Sequence, residues 1–370
     1  MKSQTSLFIS CLEDYILKKY KNYNNIFIGQ QKGKNNEKIF VKKLEIDLKE
    51  INNVKNKKII REIFFLIFFR YFYYLVKLDN IIVEEEKNIK IAVSLINKKI
   101  AIPIDILIKI YNNENNEEIK HKMDDKNFIK WIIYQIVFGI YSIHKNNAVH
   151  NDISSDNIVI DAEGGVSIID FGSMNFKEQS YETKFNYASP ELIIDALYER
   201  KETRNEKSEM WSLGVVILEI LLKEYRYLGY TKENKNIDYK KQLDFIFQKF
   251  GFTKNLSWTK MKEMINDKND NGECVFELSE NEKKVIGDDN AIDLIKNLLV
   301  LNPKERYSAE DVLKSKYLKE YKNIFDNDTE ELNKWMNKKR LSFKDKYNYF
   351  INEDINENKI KEFFNYCKNF

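Results

Sequence analysis

Apolar and polar positions alternate with one period over about the first hundred residues and another beyond them. Asp14–Lys19 and Asn25–Gln31 are short and rich in Ile, Phe and Tyr, which predicts strands. Lys32–Glu37 is a polar turn carrying Gly33, and Lys38–Glu45 alternates as a strand does. Lys55–Tyr74 is long and apolar-rich, the pattern of a helix buried on much of its surface. Ile81–Glu85 and Ile89–Ile96, split by Lys87 and Asn88, predict a hairpin.

The texture then turns helical. Asn127–Lys145 brings Phe128, Trp131, Ile132, Gln135 and Ile136 roughly onto one face. Trp211–Leu222 and Ala291–Leu301 are further apolar helices. The polar runs Asn112–Asp125, Lys223–Asp238 and Asn266–Gly272 are expected as surface loops. A β-rich start followed by a helical body predicts an α+β fold with two lobes. A charged, aromatic-rich tail runs from Glu320 to Phe370.

Composition narrows the possibilities. With 43% apolar residues in 370, the chain can bury a sizeable core. The 61 Lys+Arg against 58 Asp+Glu give a formal charge of +3, which argues against nucleic acid or membrane held by bulk charge. Cys11, Cys274 and Cys367 lie far apart, with neither zinc-ligand spacing nor an even disulfide set, which points to a reducing compartment. The apolar stretch from Leu7 to Leu12 is short for a signal peptide and no segment approaches a membrane span. The expectation is an intracellular protein, cytoplasmic or nuclear.

The chemistry concentrates between Val149 and Gly172. Val149-His-Asn-Asp-Ile-Ser-Ser-Asp-Asn-Ile-Val-Ile is followed, after a turn, by Ser167-Ile-Ile-Asp-Phe-Gly. Asp and Asn in such places can be mere turn caps. The spacing resembles the protein-kinase catalytic loop, His-Arg-Asp-Leu-x-x-x-x-Asn, followed by Asp-Phe-Gly. Four residues separate Asp152 from Asn157, as in that motif. The resemblance implies an α+β bilobal kinase fold and phosphoryl transfer from ATP to a protein Ser or Thr hydroxyl. Asp170 and Asn157 would hold Mg²⁺ (or Mn²⁺), and Asp152 would orient the attacking hydroxyl and accept its proton.

Three more segments follow in kinase order: Tyr187-Ala-Ser-Pro-Glu191, Glu209-Met-Trp-Ser-Leu-Gly214 and Asn302-Pro-Lys-Glu-Arg306. By resemblance, Arg306 and Glu191 form a buried ion pair. Ile39-Phe-Val-Lys-Lys-Leu resembles the strand that bears the ATP-anchoring Lys, with Lys42 in register and Lys43 competing; Glu62 is its expected partner on the long helix. Lys55–Glu62, Gln242–Gly251 with Trp258, and Ala291–Pro303 resemble the CMGC branch, the cyclin-dependent and MAP kinases. The implied kinase domain is 12–318, with an N-lobe of about 12–96, a C-lobe of about 97–318 and a 319–370 extension. Protein substrates and a cyclin-like or other regulatory protein are the implied partners.

The sequence also departs from the pattern. No glycine occurs in Tyr20–Asn25, where the phosphate-binding loop falls, so weak ATP binding is expected. That loop and the Phe-x-Lys-Lys strand also resemble the FIKK kinases, a branch the C-lobe motifs fit less well. Asn151 replaces the Arg that reads an activation-loop phosphate; Ser189 and Glu209 are milder changes. Ser154 stands where Ser/Thr kinases keep a Lys, and Lys184 stands where they keep a Thr, which suggests an exchange of the two side-chain types. His150 is expected as a packed structural residue; His121 and His144 suggest neither a triad nor a metal site. The alternative to an active enzyme is a pseudokinase, a binding or scaffolding module.

Overall fold

The structure, a computed structural model, describes residues 15–19, 25–33, 38–50, 52–86, 90–97, 101–113, 116–176, 185–198, 205–225, 239–250, 277–347, 349–350 and 356–368. The chain divides into two compact units. One draws on residues 1–102, 160–174 and 331–370, the other on 103–159 and 175–330.

The first unit is built on β1 (Tyr15–Lys19), β2 (Ile26–Gln31), β3 (Lys38–Asp47), β4 (Asn80–Glu86) and β5 (Lys90–Asn97). They form one five-stranded antiparallel sheet in the order β1-β2-β3-β5-β4. Ile39 and Val41 of β3 are buried with Ile82, against Leu17 and Phe27. Alternation along the strand turns Lys42 to the opposite face.

Helix α1 (Val54–Phe68) follows β3. Asn53 caps it, accepting from the Asn56 N–H. The buried Asn56 amide accepts from the Asp47 N–H at 3.3 Å and donates to the Asp47 and Glu50 carbonyls at 2.8 and 2.9 Å. One satisfied amide thus ties the end of β3 to the start of α1. Every residue of α1 from Ile59 to Phe68 is buried.

The helix stops at Phe68, short of the expected Tyr74. Phe69 caps it, and Tyr74 takes a left-handed conformation, φ +60°, which no continuing helix allows. The apolar run from Phe69 onward serves a turn instead. Its Tyr74 carbonyl accepts from the Ile168 N–H, and the Val76 N–H donates to the Ile168 carbonyl. That pairing brings Ile169–Ser173 to the α1 side of the unit. Phe171, fully buried, meets Phe69 edge-on at 6.1 Å. In the tail, Phe350 packs on Phe363 of the helix Glu357–Lys368 at 5.3 Å.

The second unit is mostly helical: α2 (Ile104–Asn113), α3 (Glu117–Asp124), α4 (Lys126–Lys145), α5 (Pro190–Leu197), α6 (Glu206–Leu222), α7 (Tyr239–Phe250), α8 (Glu280–Ile286), α9 (Asp289–Leu298) and α10 (Ala309–Leu313). The expected one-faced pattern of α4 holds only for its first turns; Ile132 to His144 are buried on every side. Residues Ser208 to Leu221 of α6 are likewise all buried, so it is a central core helix.

One expected loop is a helix. Within Asn112–Asp125, α3 is capped by Asn116, carries Glu117 and Glu118 in its first turn and His121 and Lys122 in its last. That charge order suits the helix dipole, and Lys122 pairs with Glu118 at 3.0 Å. Local electrostatics and the buried Met123 outweigh low hydrophobicity there. Residues 226–238 and 266–272 lie outside the described residues. Among the described residues, no helix is long and apolar enough to cross a membrane.

Candidate active site

In the first unit, Lys42, Glu62 and Asp170 come together. Lys42 Nζ lies 2.6 Å from Glu62 Oε1 and 3.5 Å from Asp170 Oδ1. Burial alone would lower the Lys42 pKa, but the Glu62 and Asp170 carboxylates outweigh it and hold the ammonium charged, above its usual range. Burial pushes Glu62 up, with Lys42 opposing. Lys43 faces elsewhere, its Nζ 4.9 Å from the Phe27 ring centroid. The Asp170 side chain is 45% exposed, open to a ligand. Its backbone is left-handed, φ +66°, a state uncommon outside Gly, Asn and Asp, and surrounding packing supports it. Buried Phe171 supplies part of that support.

In the second unit, the segment from His150 to Asn157 forms its own hydrogen-bonded turn. Asn157 Nδ2 donates to the Asp152 carbonyl at 2.8 Å and to Asp152 Oδ2 at 2.9 Å. The amide oxygen is left as the group to offer a cation. The Asp152 N–H donates to Nδ1 of buried His150 at 3.3 Å, a packing role in keeping with the expected structural histidine. Ser154 is fully buried in extended backbone ahead of a single 3-10 turn, Ser155–Asn157. Lys184, Tyr20–Asn24, Ser180, Tyr181 and Thr183 lie outside the described residues, as do Gly251 and Trp258.

Two acidic residues of α6 brace this loop. Glu209 Oε1 accepts from the Asn151 N–H at 2.8 Å, and its Oε2 lies 2.7 Å from His144 Nε2. The histidine thus has a buried carboxylate partner that the sequence did not reveal. Asn151 sits at φ +66°, a left-handed conformation that asparagine tolerates well. Ser155 Oγ donates to Glu219 Oε2 at 2.8 Å and lies 2.7 Å from the Tyr187 hydroxyl, which reaches the same carboxylate at 3.1 Å. Burial, then the Glu219 charge, pushes the Tyr187 phenol far up, so it keeps its proton. Ser155 stands at a position the catalytic-loop motif leaves open, and Glu219 had no motif to announce it.

The expected Arg306–Glu191 pair is present. Nη1 and Nη2 donate to Oε1 and Oε2 at 2.8 and 3.1 Å, and the guanidinium also donates to the Val300 and Lys207 carbonyls. Its charge is buried yet fully engaged.

Comparison with known proteins gives the family and the fold. The protein kinase domain family matches residues 27–318, and the chain belongs to it. Among curated relatives, cyclin-dependent kinase 11 of Dictyostelium discoideum is 30% identical over 203 residues, which cover 51% of each chain. Mitogen-activated protein kinase pmk-3 of Caenorhabditis elegans is 29% identical over 212 residues, 52% of this chain and 41% of the relative. These names are those of a CMGC-like eukaryotic protein kinase. The chain spans about half the length of the curated relatives it matches. Among solved structures, a CAK complex from Chaetomium thermophilum bound to ATP-gamma-S superposes with a TM-score of 0.63 at 19% identity, over 83% of this chain and 91% of that one. MAP kinase LmaMPK10 from Leishmania major gives 0.62 at 18%, over 85% of each chain. At such identities these two likenesses carry the fold.

Proposed function

We propose that the chain transfers the γ-phosphoryl group of ATP to a Ser or Thr hydroxyl of protein substrates. The observation that carries this reading is Lys42 held, charged, between Glu62 and Asp170. A surface lysine on a strand needs no such arrangement; a phosphate anchor does.

In this reading Lys42 binds phosphate oxygens, and Glu62 fixes the direction of its ammonium. Asp170 and Asn157 are the residues that would hold Mg²⁺ or Mn²⁺. Hard oxygen donors suit these ions, and two protein ligands suffice when phosphates and water complete the shell. When bound, such an ion would supply charge neutralisation on the triphosphate. Asp152 orients the substrate hydroxyl and accepts its proton, with Asn157 holding one of its carboxylate oxygens in place. Lys184 would supply the charge of the missing catalytic-loop lysine, with Ser154 standing in that lysine's place. A loop without glycine offers the phosphates fewer backbone donors, so the expected ATP KM is on the order of 10² μM or poorer. By analogy with the cyclin-dependent relatives, a cyclin-like protein is the partner class to try first.

The test is phosphoryl transfer from radiolabelled ATP to a generic basic protein, comparing wild type with Asp152→Asn. Transfer by wild type, reduced about 10²-fold or more in the variant, is expected. No transfer by wild type with any divalent ion would favour the scaffolding alternative, to which the glycine-free loop already lends weight.

A further inference from the structure

Asp170 takes a left-handed backbone conformation, φ +66°, and the segment that carries it is held from two sides. The buried Phe171 ring holds it on the apolar side. The polar hold comes from α1. Arg61, only 1% exposed, donates from Nη1 to the Gly172 carbonyl at 3.2 Å. The next residue, Glu62, grips Lys42, which in turn lies 3.5 Å from Asp170. Gly172 lies directly against the helix: a Cβ built there would be 3.8 Å from the Lys58 carbonyl oxygen and 3.9 Å from Glu62 Oε2. Two consecutive residues of one helix thus bear on the Asp170–Gly172 turn, Glu62 through the Lys42 ammonium it shares with Asp170 and Arg61 through a hydrogen bond. A guanidinium is always charged and costly to bury, so the bond from Nη1 to the Gly172 carbonyl is one that the buried group depends on.

We propose that Arg61 is a positioning residue for the metal-binding carboxylate. It fixes the Gly172 carbonyl and so keeps Asp170 aimed at the ion. The inference rests on the kinase reading of Asp170. It assigns Arg61 an inward role, set by its bond to the Gly172 carbonyl.

The role separates metal from nucleotide. Arg61 touches the turn that carries the metal ligand, whereas the Lys42–Glu62 pair remains when Arg61 is replaced. Calorimetric titration of the full chain with ADP, once with Mg²⁺ and once with EDTA, reads the two apart. Wild type should bind ADP more tightly with Mg²⁺. Arg61→Met, similar in length and without a donor, should lose about tenfold of that metal-dependent gain, the scale of one charged hydrogen bond. Its ADP affinity in EDTA should stay within about threefold of wild type, and Arg61→Lys should recover part of the gain. Should Arg61→Met fail to fold, by circular dichroism, Arg61→Gln carries the same expectation. An unchanged metal-dependent gain in a folded variant overturns the proposal, as does an equal loss with and without metal. Absence of any metal effect in wild type overturns the kinase reading and this proposal together.

Discussion

Lys42 Nζ and Glu62 Oε1 stand 2.6 Å apart, joined across twenty residues of sequence by the Asn56 tie between β3 and α1. Its neighbour Lys43 lies instead by the Phe27 ring. The two adjacent lysines should therefore behave differently. Lys42→Met is expected to lower kcat/KM for ATP by about 10²-fold or more, the cost of one preorganised electrostatic contact. Lys43→Met should stay within about threefold of wild type, since a surface cation–π contact is weak. Steady-state kinetics on the pair decides between them.

The Ser155–Tyr187–Glu219 cluster should be a stability element of the catalytic loop. Ser155→Ala leaves a buried carboxylate short of one donor, at a cost of about 1–3 kcal/mol. Urea unfolding measures it. Tyr187→Phe should cost a similar amount, and that cost should not vary with pH below about 9. The folded phenol is raised, so its contribution is fully present below the unfolded pKa of about 10 and is lost only as pH rises through the folded value. Between about pH 6 and 9 the difference from wild type should be flat.

The Arg306–Glu191 pair has no solvent to fall back on. Arg306→Ala is expected to destabilise by about 3–5 kcal/mol, because Glu191 would remain buried and unpaired. Replacing both with apolar residues of similar volume should cost less than either single change. A thermal or urea comparison of the three variants checks the order.

Asn151 gives the loop a left-handed turn but no cation. A phosphate on Ser180, Tyr181 or Thr183 would find no arginine at that position. Phosphatase treatment is expected to leave activity within about threefold, in contrast to kinases switched by an arginine–phosphate contact. A loss of about two orders of magnitude would contradict this.

Much of the fold was readable because it rests on period. The strands β1 to β5, α4 and α6 follow from alternation and helical spacing. The motif around Asp152, Asn157 and Asp170 was readable because it is local. What escaped was decided by contacts distant in sequence. The exit of α1 at Phe68 depends on Tyr74 meeting Ile168, which no apolar run can signal. Helix α3 is polar enough to read as loop, and only its caps and charge order betray it. His144 found a partner 65 residues away in Glu209, and Ser155 one 64 residues away in Glu219. Arg61 sat inside a recognised motif, yet its bond to Gly172 spans 111 residues.

The central claim is that Asp170, beside Lys42 and Glu62, serves phosphoryl transfer. Its most direct test is radiolabel transfer from ATP to a generic basic protein, with saturating Mg²⁺, by wild type and by Asp170→Ala. The account predicts transfer by wild type and a fall of about 10²-fold or more in the variant, with its circular dichroism spectrum unchanged. Equal transfer by the two proteins would contradict it.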